Sequence, residues 1–284
     1  MRILGVHGVG NHYAGATSAE ARAKLAATWT KNLARGPFGA SVRECDLAVA
    51  YYADLLREPG GQSIDEVTLE ELGPEAEALM RLWLDEQGLP EEVPQGWATW
   101  PLRQALAWVA ARDGLAPSMV EAFVARFFAE VATYLGEPDG RPRADAGSAV
   151  ALALTEHTPR VVIAHSLGSV VAYEALWAHR GAPVDLLVTL GSPLALPHAV
   201  FPRLLPAPVQ ELGSRPPSVR RWVNISDVGD LVAIPKGGVA RAFTGVSADH
   251  HDSIHAFDFH LAANYLRCDP LARILREELA RPVT

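Results

Sequence analysis

The sequence predicts an α/β fold, a mostly parallel central sheet covered by helices on both faces, with a helical insertion between its second and third strands. Three observations carry this prediction. Short apolar runs alternate with helical patterns along most of the 284 residues. Those runs are continuous in hydrophobicity rather than alternating, as strands buried on both faces must be. From about residue 60 to 140 the alternation gives way to consecutive helical stretches.

Taken in order, the candidate strands are 3–6, 42–51, 160–164, 185–189 and 221–225. A helix over 18–33 follows the first and is closed by Gly36-Pro37; another, over 145–156, stops before Pro159. The insertion holds helical stretches at 69–87, 101–112 and 117–135. The last places Val120, Phe123, Val124, Phe127, Val131 and Tyr134 at helical spacing, so one side is apolar. Four of the seven tryptophans (Trp83, Trp97, Trp100, Trp108) fall in this region. They serve either as the core of a helical subdomain or as the lining of a cap over a site, and the two roles are compatible. Residues 1–59 and 141–284 then form the core and 60–140 the insertion.

Hydrophobic residues make up 49 % and charged residues 20 %, enough to bury a large core. A net charge of −8, with no Lys/Arg run, argues against a nucleic-acid partner. The two cysteines, Cys45 and Cys268, have no metal or redox spacing and read as reduced thiols. The chain begins directly with a strand-like run, Ile3-Leu4-Gly5-Val6, and no stretch is long and apolar enough to span a bilayer. A soluble, cytoplasmic protein without a transmembrane segment is expected.

The chemistry is concentrated at Arg160-Val-Val-Ile-Ala-His-Ser166-Leu-Gly-Ser-Val-Val-Ala-Tyr-Glu-Ala-Leu176, where an apolar strand ends, a serine follows, and a helix of small and apolar residues begins. Such a turn lifts a hydroxyl clear of the sheet and sets it at a helix N-terminus, whose N–H groups favour negative charge. The residues two before and two after the serine must be small, and here they are Ala164 and Gly168. The blander role for Ser166 is to cap the helix. Near the N-terminus, His7-Gly8-Val9-Gly10-Asn11-His12 follows the first strand. No Gly-x-Gly-x-x-Gly or Walker pattern accompanies it, which disfavours a phosphate-binding loop.

Together the segments Val6-His-Gly-Val-Gly10, Ala164-His-Ser-Leu-Gly168, Thr189-Leu-Gly-Ser-Pro193 and Asp227-Val-Gly-Asp-Leu-Val232 resemble the ordered landmarks of lipase-like α/β-hydrolases. They are similar to those of the class 3 lipases and of the GPI inositol-deacylase-like group. Residues 60–140 lie outside the resemblance, and Ala164 stands where the common motif has glycine. The resemblance implies an α/β-hydrolase fold with a helical cap insertion, and Ser166 as a nucleophile. It further implies an oxyanion hole made by the backbone N–H groups of Val9 and Leu167.

In this fold the acid and then the histidine follow the nucleophile. Asp230-Leu-Val-Ala-Ile-Pro235 resembles the segment bearing the lipase acid, which favours Asp230; Asp227, nearer the strand end, is the alternative. Among His250, His251, His255 and His260, the phrase Asp258-Phe-His-Leu-Ala-Ala-Asn-Tyr-Leu266 resembles the terminal family segment and favours His260, with His255 and His251 as alternatives. A metal reading competes, because His251 and His255 would share one face of a helix with Asp252 and Asp258 nearby, and His7 and His12 could join them. The missing His-Glu-x-x-His and the loop-like 245–252 argue against it, so neither a metal nor a cofactor is expected.

What the resemblance implies is a serine hydrolase that cleaves a carboxylic ester, with an apolar or lipid-like acyl group suggested by the aromatic insertion. Thioester or amide cleavage would use the same residues. A non-catalytic hydrolase-like binding protein is the rival from another class, and it has no need to keep all three side chains.

Overall fold

The computed structural model describes residues 1–57, 67–89, 99–136, 140–179, 181, 183–254 and 260–282. Its centre is a six-stranded sheet in the order β2-β1-β3-β4-β6-β8, with every strand pair parallel. The strands are β1 (Arg2–Val6), β2 (Asp46–Ala50), β3 (Val161–His165), β4 (Val184–Leu190), β6 (Val219–Asp227) and β8 (Val246–Asp252). Two short strands, β5 (Gly213–Ser214) and β7 (Phe243–Thr244), pair separately.

Helices cover both faces, and the strand side chains alternate between them. Ile3, Val161, Ile163, Leu186, Val188 and Ile225 face α1 (Ser18–Arg35), α8 (Ala262–Leu266) and α9 (Asp269–Ala280). Leu4, Val6, Val162, Ala164, Leu187 and Trp222 face the other layer. That layer contains α4 (Pro117–Leu135), α5 (Arg141–His157) and α6 (Leu167–Ala178), with α2 (Pro74–Asp85) and α3 (Thr99–Arg112) packed on α4. The short α7 (Gly238–Ala242) precedes β7. Because both faces are buried, strand residues at consecutive positions are apolar, which is the pattern the sequence carries.

The chain winds from β1 outward to β2, then returns past β1 to lay down β3. At such a reversal the loops after adjacent strands part, leaving a crevice at the carboxyl ends of the strands. In the sheet register, Val6 lies opposite Ala164, and His165 opposite Leu190. Residues 7–10, Ser166 and residues 228–230 therefore all emerge at one edge of the sheet.

Several expectations need correction. Residues 42–44 belong to a short 3-10 turn, Gly39–Glu44, so β2 begins only at Asp46. The helix expected over 69–87 is broken: Gly73-Pro74 ends one short turn and starts α2, with proline in its first turn where no N–H is needed. Residues 246–252 form β8 rather than a loop. As the edge strand it is half-exposed, so Val-Ser-Ala-Asp-His-His-Asp lacks the apolar run that marks the interior strands. His251 thus lies on a strand and shares no helical face with any residue; His255 and Asp258 lie outside the described residues. Trp97 and the side chain of Trp100 do too, whereas Trp83 is fully buried. Cys45 and Cys268 are free thiols. No helix among the described residues is long and apolar enough to cross a membrane.

Candidate active site

Ser166 is the single residue between β3 and α6. Its backbone is held at φ 56°, ψ −134°, a conformation that side-chain-bearing residues rarely adopt and that costs on the order of 1–3 kcal/mol. The sheet fixes it there, because Ser166 N–H donates to Leu190 O at 3.0 Å. The turn is crowded on both sides. A Cβ on Gly168 would lie 2.2 Å from His7 O, and one on Gly8 would lie 2.5 Å from the Ser166 Cβ. The loop after β1 is therefore pressed against the serine, and only glycine at both positions permits it.

Ser166, His260 and Asp230 form one hydrogen-bonded chain. The Ser166 Oγ lies 2.6 Å from His260 Nε2, and His260 Nδ1 lies 2.8 and 2.9 Å from the two Asp230 carboxylate oxygens. Burial pushes the Asp230 carboxyl up, but the adjacent His260 and hydrogen bonds from His260, Tyr265 and Val232 N–H outweigh it and hold it at about 2. Asp230 is thus a carboxylate that can only accept, so the Nδ1 proton of His260 points to it and Nε2 is left to accept from Ser166.

Further residues position this chain. The Tyr265 hydroxyl donates to Asp230 Oδ2 at 2.6 Å and accepts from Asp227 N–H at 2.9 Å. Burial, reinforced by the Asp230 charge, keeps Tyr265 a phenol far above its ordinary range. Asp227 does not touch His260 in the hydrogen-bond network; its two oxygens accept from Gly229 N–H at 2.7 Å and Ile254 N–H at 2.8 Å, bracing the loop that carries Asp230. His251 is engaged elsewhere, accepting from Gly237 N–H at 2.6 Å, with Asp249 at 3.3 Å. His260 itself has φ 61°.

Two residues supporting the loop after β1 were not singled out from the sequence. Tyr52 stacks on the His7 ring at 4.2 Å and donates to His7 O at 2.6 Å. Glu130, on the buried side of α4, accepts from Gly10 N–H at 2.8 Å. An acidic residue on the buried side of a helix is the only local sign of that role, and its partner is 120 residues away. Helix α4 also sets Phe123 and Phe127 against the His260 ring, with centroids 5.1 and 6.1 Å away. Trp83 of α2 donates to Leu231 O at 2.7 Å, tying the insertion to the loop that bears Asp230.

Beside these groups lies a cleft of about 300 Å³ walled by Val9, Gly10, Asn11, Phe123, Arg126 and His260. A larger cavity of about 700 Å³ lies around Arg267, Cys268 and Arg273, where burial pushes the Cys268 thiol up to about 11. Among the described residues lining it there is no histidine to act as a base beside Ser253 or Cys268, so the smaller cleft is the better candidate for chemistry. Among the described residues no group of three or more His, Cys, Asp or Glu side chains is placed to hold a metal.

Two further buried histidines make the site's surroundings sensitive to acid. Burial lowers His7 from 6.5 to about 4, against weaker opposing effects of Gly8 and Asp54. Burial, and then the neighbouring His260, lowers His165 to about 3. The unfolded chain binds protons on both below about 6.5, while the folded protein does not until far lower. Stability should therefore fall as pH falls from 6.5 to 4, by about 3 kcal/mol for each histidine. Urea unfolding at several pH values checks this, and a flat profile across that window would show that the two rings are not buried neutral.

No protein-family model, curated protein or solved structure matches this chain.

Proposed function

We propose that this protein is a serine hydrolase of the α/β-hydrolase fold that cleaves a carboxylic ester. The observation that carries the reading is the continuous Ser166–His260–Asp230 chain, with heavy-atom distances of 2.6 to 2.9 Å, on a serine held in a strained turn. Nucleophile, base and orienting acid in this arrangement activate an otherwise weak hydroxyl. A strand order with the serine-bearing β3 between β1 and β4 supports the fold assignment.

In this mechanism Ser166 Oγ attacks the carbonyl carbon while its proton passes to His260 Nε2. Charge builds on the carbonyl oxygen, and the N–H groups of Val9 and Leu167 are its donors. Val9 lines the cleft beside His260, and Leu167 opens α6 immediately after the serine. Collapse of the adduct breaks the C–O bond to the leaving alcohol, which takes the proton from His260. Water, deprotonated by the same imidazole, then attacks the acyl-serine; the acid is released and Ser166 recovers its proton. Asp230 stays ionised throughout and compensates the imidazolium.

Helix α4 acts as a cap. Ser166 has no exposed surface, and Phe123 and Phe127 lean on His260, so substrate enters past α4. A cleft of about 300 Å³ is at the small end of ligand sites and favours a short acyl group over a long lipid chain.

The test is reaction with a fluorophosphonate, in which Ser166 Oγ would displace fluoride from phosphorus. Peptide mass spectrometry should place the adduct on Ser166 in the native protein and find none after Ser166→Ala. Absence of labelling, or labelling on another residue, would overturn the reading.

A further inference from the structure

Arg126 stands in the cleft without a counter-ion among the described residues. It projects from α4 three residues after Phe123 and beside Phe127, within the segment that meets His260. Its guanidinium reaches the loop after β1, since a Cβ on Gly10 would lie 3.2 Å from Arg126 Nη1. The residue is half-buried, yet it makes no hydrogen bond or ion pair with any described residue. Other arginines that approach the core find carboxylates: Arg143 meets Glu174, and both Arg160 and Arg221 meet Glu278. One turn further along α4, Glu130 directs an oxygen to Gly10 N–H instead. None of the described residues lining the cleft is acidic.

A half-buried guanidinium loses solvation, and its planar fork matches a carboxylate or phosphate better than any neutral group. We propose that Arg126 binds an anionic group of the substrate, so that the substrate class is a short ester carrying a carboxylate or phosphate. This rests on the hydrolase reading above and narrows it. The geometry also sets the spacing. Gly8 packs on Ser166 and Gly10 on Arg126, and two residues of chain span at most about 7 Å. The anion therefore sits on the order of 10 Å or less from the scissile carbonyl, and glutarate, whose carboxyl carbons lie about 5 Å apart, samples the short end of that range.

The experiment compares the mono-p-nitrophenyl ester of glutarate with its neutral methyl-esterified counterpart, beside a phosphate-bearing ester of similar length. Wild type, Arg126→Gln and Arg126→Lys are assayed with each. Arg126→Gln should lower the anionic-to-neutral ratio of kcat/KM by about 10- to 100-fold, mainly through KM, with partial recovery in Arg126→Lys. Comparing the carboxylate and phosphate esters tells which anion is preferred. An unchanged ratio in Arg126→Gln would overturn the proposal. A second arm does not depend on turnover: calorimetric binding of glutarate monomethyl ester to Ser166→Ala, with and without Arg126→Gln. Binding that is lost with Arg126→Gln supports the anion site even where no ester is hydrolysed, an outcome that would sink only the hydrolase reading. Binding that is absent from Ser166→Ala, or indifferent to Arg126, would overturn the anion site itself.

Discussion

Ser166→Ala is expected to lower kcat by about 10⁴-fold or more on any ester the protein hydrolyses. Among the described residues Ser166 Oγ is the hydroxyl that meets His260 Nε2, at 2.6 Å, so its removal takes away the group that the base would activate. The fold should survive. The side chain loses one atom, and the backbone bond from Ser166 N–H to Leu190 O is untouched. Steady-state kinetics on a short p-nitrophenyl ester, with circular dichroism as the folding control, measures both. A folded variant that keeps a tenth of the activity would mean that the nucleophile lies elsewhere.

Asp230→Asn should be nearly as damaging, on the order of 10⁴-fold in kcat, although it changes a single atom type. The carboxylate accepts from His260 Nδ1, Tyr265 OH and the N–H groups of Val232 and Ala233. An amide must turn either its oxygen or its NH₂ toward His260, and the NH₂ orientation forces the imidazole into the tautomer that cannot accept from Ser166. Asp227→Asn should cost less than about 10-fold, because Asp227 braces Gly229 and Ile254 and does not orient the imidazole. The pair discriminates sharply. Near-normal activity in Asp230→Asn together with an inactive Asp227→Asn would reverse the assignment.

How much of this was legible in the sequence depends on how far each feature reaches along the chain. The interior strands β1, β3, β4 and β6 announce themselves as apolar runs because both faces are buried. The edge strand β8 does not, because its half-exposed side tolerates Ser, Asp and His. Ser166 was legible because its constraint is local: a strand, a turn needing small flanking residues, and a helix, all within about ten residues. The three residues joined by hydrogen bonds were each singled out, but the choice between Asp227 and Asp230 rested on resemblance. The partners that distinguish them, the Ile254 N–H for one and the His260 imidazole for the other, lie 27 and 30 positions away. Tyr265 lay inside a segment already singled out for His260, yet nothing in its neighbours shows that its hydroxyl reaches Asp230. Glu130 and Arg126 were less visible still, since a charged residue on a helix is ordinarily a solvated one.

Helix α4 contacts the site through Phe123, Phe127 and Glu130, with Arg126 between them. The three contacts are spaced by four and three residues, so they depend on rotational phase as much as on identity. Inserting one alanine after Ala125 would turn everything beyond it by about 100° and advance it by about 1.5 Å. Phe123 would then keep its place while Glu130 swung away from Gly10. Length and handedness in this stretch are thus constrained more tightly than composition on its outer side, where Met119 and Ala122 face solvent. Diversification of this protein should accordingly proceed by substitution along α4 and by insertion in the loops beyond its ends, and hardly ever by a change in the number of residues between Phe123 and Glu130.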